Sequence, residues 1–207
     1  MCGIIGYVGH REAAPILLDG LERMEYRGYD SAGIAIRTAD GLQVKKSKGR
    51  LQVLSDMVRG GADLPGTLGI GHTRWATHGE PNDINAHPHV SEGGNIALVH
   101  NGIIENYLEL KDYLMSKGVK FASETDSEVV AQLLEFHYNE CHDILEAVGR
   151  VLRRIEGSYA LGIISSDMPD ALIAARKDSP LILGYGPDGN YIASDVTAVI
   201  KYTREVA

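Results

Sequence analysis

Apolar positions along the chain switch repeatedly between continuous or period-two runs and a period near 3.6. Residues 3–8 form a buried-strand run, and residues 11–25 then place Ala13, Ile16, Leu17, Leu21 and Met24 on one helical stripe. Strands are expected at 32–37 and 42–46, a short helix at 50–58, and another strand at 67–73. The polar stretch 75–93, with two Pro and three His, reads as a loop longer than a plain connection needs. Loops of that length often carry function.

A strand at 95–100 ends at Asn101-Gly102, and a helix near 104–117 stops at Gly118. Thr125 and Glu128 have capping-box spacing and open a helix to about Tyr138. Asp143 and Glu146 repeat that spacing for a helix to about Ile155, stopped by Gly157. Strands follow at 158–165, 171–176, 181–184 and 190–194, with turns at 167–170 and 187–189. Strands, a helical pair and strands again make an α+β pattern. It suggests two sheets packed together with helices outside, not a doubly wound sheet.

Composition narrows the class. At 207 residues and 44% apolar, the chain suits one domain with a substantial core. A net charge of −8 argues against nucleic acid or an anionic membrane as the main partner. No basic leader is evident, and no apolar run approaches the roughly 18 residues of a membrane helix. The two cysteines, Cys2 and Cys141, fit lone thiols in a reducing cytosol. A soluble cytoplasmic protein is expected.

Two motifs mislead. Residues 184–189 match G-x-G-x-x-G, but a strand follows where a dinucleotide site needs a helix, so the segment reads as a turn. His72, His78, His87, His89 and His100 lack metal-ligand spacing and read as hydrogen-bonded loop or core residues. His10, His137 and His142 read as surface. No metal or cofactor is implied.

Cys2 directly follows Met1, and aminopeptidases remove Met before a small residue. Removal leaves a thiol and a free α-amine on one residue. That amine has an ordinary pKa of about 7.7–8.0 and can act as a base near neutrality, beside the most nucleophilic of the side chains. By position alone, a small residue beginning a buried strand is the plainer reading. Its company changes the weight. Asn101 and Gly102 offer an amide and an unhindered N–H to an oxyanion, although an N-G turn is common. Arg74, where a strand meets the long loop, suits a carboxylate. Asp126, in the first turn of its helix, suits an ammonium or simply the helix start. Together they describe an amidase site for a zwitterion.

These residues sit in longer words: Cys2-Gly3-Ile4, residues 25–33 (EYRGYDSAG), residues 72–81 (HTRWATHGEP), residues 100–106 (HNGIIEN) and Ser123-Glu124-Thr125-Asp126. The chain resembles the class II glutamine amidotransferases, N-terminal-nucleophile hydrolases, over nearly its whole length. Within them, the strings at 26–30 and 73–78 look like the glutaminase domain of the aminosugar-forming glutamine–fructose-6-phosphate aminotransferases.

The resemblance implies a four-layer αββα sandwich over residues 2–207. It implies Cys2 as nucleophile with its own amine as base, and Asn101 with Gly102 as oxyanion hole. Arg74, Thr77 and His78 would hold the glutamine carboxylate and Asp126 its ammonium. Arg27 and Gly28 would lie beside the nucleophile, and Trp75 on the loop closing the site. A sugar-phosphate isomerase half, absent from these residues, would be the partner, with homodimer formation by the full-length protein left open. Two alternatives stand beside this reading. One is a glutaminase serving another acceptor, such as phosphoribosyl pyrophosphate; the other is a non-catalytic glutamine-sensing domain.

Overall fold

The computed structural model describes residues 2–76 and 79–207. Strand β1 (Gly3–Gly9) alternates its side chains between two apolar layers: Ile5 and Tyr7 meet helix α1 (Ala13–Glu22), whereas Ile4 faces the other way. The five expected stripe residues, Ala13, Ile16, Leu17, Leu21 and Met24, are all buried. Helix α1 nonetheless ends at Glu22, short of the expected Glu25, and a short 3₁₀ turn at Glu25–Arg27 follows.

Strands β2 (Ser31–Thr38) and β3 (Gly41–Lys48) form a hairpin. Helix α2 (Leu51–Met57) follows and buries Leu51 and Leu54 beneath α1. Strand β4 (Leu68–Arg74) lies between β1 and β2. The second sheet is built from β5 (His89–Val90), β6 (Ile96–Ile104), β7 (Gly157–Ser165) and β8 (Ile173–Lys177), in that order. It carries α3 (Tyr107–Ser116), α4 (Asp126–Cys141) and α5 (Ile144–Leu152). The chain returns to the first sheet through the hairpin β9 (Ile182–Gly186) and β10 (Gly189–Ala193), and β11 (Glu205–Val206) extends its edge. The order there is β11-β9-β10-β1-β4-β2-β3, with every pairing antiparallel. Segment 184–189 is therefore a hairpin turn.

Three apolar clusters separate four layers. One lies under α1 and α2, and a second under α3, α4 and α5. The third lies between the sheets, with Ile4, Leu68, Ile70, Ala97, Val99 and Ala160 among its members. This is the expected αββα sandwich.

Further details differ from the sequence reading. Strand β6 does not stop at Asn101-Gly102 but pairs with β7 as far as Ile104↔Gly157. The short strands β5 and β11 were not foreseen. His137 is buried on α4, not at the surface. The Asp143 carboxylate caps α5 by accepting from Leu145 and Glu146 N–H, and Thr125 Oγ1 caps α4 by accepting from Glu128 N–H. The Glu128 carboxylate reaches Ala122 and Ser123 N–H instead of closing the capping box on Thr125.

Candidate active site

Period two carries the apolar inter-sheet layer into a polar end. Leu68 and Ile70 on β4 face the second sheet, so His72 does too; Ala97 and Val99 on β6 face the first, so Asn101 does too. The two side chains meet: His72 Nε2 lies 2.9 Å from Asn101 Oδ1 and 3.1 Å from the His100 carbonyl. Asn101 Nδ2 in turn donates to the Cys2 carbonyl at 3.3 Å. Cys2, half-buried just ahead of β1, is thus held over the end of the sandwich.

Its thiol has two contacts with the strand-to-loop junction. Trp75 N–H donates to Sγ at 3.2 Å, and the thiol faces the Trp75 carbonyl at 3.6 Å. Burial pushes the Cys2 thiol above its ordinary value and outweighs the Trp75 N–H, which acts the other way; Asp30 adds to the rise. Cys2 is therefore a neutral thiol near pH 7 and needs a base to react. Cys141 is likewise free, and no disulfide forms.

Cys2, Arg74, Trp75, His87, His100, Asn101, Gly102, Thr125 and Asp126 line one narrow cleft of about 30 Å³, room for roughly two waters. Arg74 is buried and donates to the Gly79 and Glu80 carbonyls at 3.3 and 3.4 Å. Asp126, also buried, accepts from Ile104 N–H at 2.8 Å through Oδ2. Ser127 beside it bonds His100 Nδ1 at 2.7 Å. The start of α4 is thereby joined to β6, and a carboxylate is fixed where the helix dipole favours it.

A shallower hollow of about 350 Å³ opens on the other side of Cys2 and Trp75, lined by Arg27, Ile103, Ser158 and Ser194 among others. Arg27 pairs with Asp195, which also accepts from Tyr26. Burial raises the Asp195 carboxyl, but the Tyr26 and Thr197 bonds and the Arg27 charge prevail and hold it at about 2. Gly28 has φ +72°, and a Cβ there would lie 3.2 Å from the half-exposed Trp75 ring. Glycine is what lets that ring lie against this turn.

The structure thus brings eight of the residues singled out by sequence together: Cys2, Arg27, Gly28, Arg74, Trp75, Asn101, Gly102 and Asp126. Thr77 and His78 lie outside the described residues. Asp30 was not foreseen as a contributor. Its carboxylate accepts from Ala76 N–H at 2.6 Å and its own N–H donates to the Arg74 carbonyl at 2.7 Å, fixing the start of the loop. Its place in the word 25–33 was the available signal.

Of the histidines read as hydrogen-bonded loop or core residues, His72, His87, His89 and His100 are buried, and both ring nitrogens of His87 lack a hydrogen-bond partner among the described residues. The His87 ring lies against His72 with centroids 4.1 Å apart and a 35° tilt, and His89 meets His87 edge-on at 4.6 Å. His89 Nε2 reaches Thr125 Oγ1 at 2.9 Å. Burial holds all four below the ordinary imidazole value, His72 at about 3, so all are neutral near pH 7.

A family profile described as "Glutamine amidotransferase domain" matches residues 72–201. The chain belongs to that family. This amidotransferase domain is 61% identical over 206 residues to a glutamine–fructose-6-phosphate aminotransferase (isomerizing) of Caldanaerobacter subterraneus subsp. tengcongensis. It is 56% identical to the enzyme of that name from Thermus thermophilus. Both matches take in all of this chain but 33% of the relative, so the chain spans about a third of their length. Among solved structures it resembles a glutamine phosphoribosylpyrophosphate amidotransferase from B. subtilis, with TM-score 0.83 and 28% identity over 98% of this chain and 44% of that one. No helix among the described residues is long and apolar enough to cross a membrane.

Proposed function

We propose that residues 2–207 form a glutaminase domain that hydrolyses L-glutamine to L-glutamate and ammonia, with Cys2 as nucleophile once Met1 is removed. One observation carries the reading: a thiol, a side-chain amide, a guanidinium and a carboxylate converge on a single cleft. That set matches the four demands of a zwitterionic amide.

In the reaction, the α-amine of processed Cys2, directly or through one water, takes the thiol proton. The thiolate attacks the side-chain carbonyl carbon, and the Asn101 amide and Gly102 N–H take the oxyanion. The C–N bond breaks, ammonia leaves with the proton held by the amine, and a thioester remains. Water, deprotonated by the amine, then releases glutamate. Arg74 binds the carboxylate of the amino acid and Asp126 its ammonium; Thr77 and His78 join the carboxylate end on the sequence resemblance alone. Arg27, Gly28 and Trp75 shape the side of Cys2 from which ammonia departs. The cleft is narrower than glutamine, so the half-exposed Trp75 side chain that lines it must shift for substrate to bind.

The ammonia, on this reading, serves aminosugar formation from fructose 6-phosphate in an isomerase region beyond the third of the relatives matched here. Identity of 61% to an aminotransferase of that name, against 28% to the phosphoribosylpyrophosphate enzyme, supports this acceptor. The direct test is Cys2→Ala: glutamate and ammonia release should vanish while the melting profile is kept. An undiminished rate in that variant would overturn the assignment.

A further inference from the structure

We infer that His72 is a positioning residue that locks the Asn101 side chain with its N–H₂ end toward Cys2. The inference deepens the glutaminase reading and rests on it.

An asparagine amide has a donor end and an acceptor end of almost the same shape, and it helps an oxyanion only if the donor end faces it. The flipped rotamer would aim a carbonyl oxygen at the developing negative charge. Something must therefore choose the orientation. His72 Nε2 faces two atoms that can only accept, Asn101 Oδ1 at 2.9 Å and the His100 carbonyl at 3.1 Å, so Nε2 must carry a proton. Nδ1 has no hydrogen-bond partner, as suits the bare nitrogen of a neutral ring. Burial keeps the ring neutral across the working pH range, so this single tautomer persists.

The ring itself is fixed. His72 is fully buried on the interior strand β4, and the His87 ring lies against it with centroids 4.1 Å apart. His87 continues through His89 to Thr125 at the cap of α4. The donor that orients Asn101 is thus tied to the same helix start that carries Asp126. With Oδ1 held by His72, Nδ2 points to the Cys2 side, where one N–H meets the Cys2 carbonyl. The second is available to an oxyanion.

The test compares side chains that differ only in where they put an amide N–H. The glutamine amide nitrogen can reach the Nε2 position, whereas that of asparagine, one methylene shorter, falls nearer Nδ1. His72→Asn and His72→Leu should lower kcat for glutamine hydrolysis by about 30-fold or more, approaching loss of an oxyanion donor, with KM within about 3-fold. His72→Gln should restore most of the lost turnover. In an Asn101→Ala background, adding His72→Leu should cost less than about 2-fold further, because the partner it orients is gone. Affinity for the aldehyde analogue of glutamine, which adds to the thiol and leaves its oxygen in the hole, should fall with kcat. Affinity for glutamate should not.

Equal kcat in the Gln and Asn variants, or full additivity with Asn101→Ala, would overturn the inference. If His72→Leu does not fold, the Gln and Asn pair carries the comparison. Absence of ammonia release from the processed wild type would instead sink the glutaminase reading, so the two failures are distinguishable.

Discussion

At the scale of single residues, four of the buried histidines, His72, His87, His89 and His100, make the protein sensitive to acid. The folded chain keeps His72, His87, His89 and His100 neutral, whereas the unfolded chain protonates them below about 6.5. Below that pH the unfolded state binds more protons, so stability falls as pH falls, by at most about 1.4 kcal/mol per pH unit for each ring. For His72 the loss continues down to about 3. Urea midpoints should be flat from pH 8 to 7 and drop steeply between pH 6.5 and 5; an unchanged midpoint across that lower window would contradict the neutral stack. Sequence left these residues as loop or core histidines and said nothing of how they pack. Spacing reports which face of a strand a residue takes, and the ring contacts of His87 and His89 depend on how the 79–88 loop folds back over Gly33. A Cβ at Gly33 would fall 2.1 Å from the His87 carbonyl, so the loop uses that glycine to approach β2.

Among the elements, α4 and α5 were readable because their caps are local: Thr125 and Asp143 each act within three residues along the chain. Strand β6 was not. Asn101-Gly102 has the composition of a turn, yet the strand continues because β7 pairs with it residue by residue. Gly102 takes φ +125°, and a Cβ there would lie 2.1 Å from the Ser158 carbonyl of the neighbouring strand. Glycine here serves close backbone approach as well as conformation. Gly102→Ala should therefore destabilise the fold by about 2 kcal/mol or more, beyond any effect on turnover. A urea midpoint equal to wild type would show that β6 and β7 separate easily at this point. The two-residue strands β5 and β11 escaped notice because so short a segment has no periodicity to read.

Over the whole molecule, the alternation of strand and helix runs was enough to reach the layered architecture, since each sheet must bury both faces. Sequence also singled out the side chains of the proposed site. What it could not supply was their convergence: Cys2 precedes β1, Arg74 ends β4, Asn101 lies on β6 and Asp126 opens α4. Only the packing of both sheets and the α4 layer around one end of the sandwich brings them to a common cleft. Asp30 and Asp195 escaped for the same reason, because each acts through a partner distant in sequence, Ala76 and Arg27.

On the proposed mechanism Cys2 reacts as the first residue of a processed chain. Tandem mass spectrometry of the N-terminal peptide, on a sample whose ammonia release from glutamine has been measured and then blocked with a glutamine-shaped electrophile, tests it most directly. Loss of Met1, one adduct on Cys2, and inhibition in proportion to labelling are expected. Active protein with Met1 quantitatively retained, or inhibition tracking an adduct on Cys141, would contradict it.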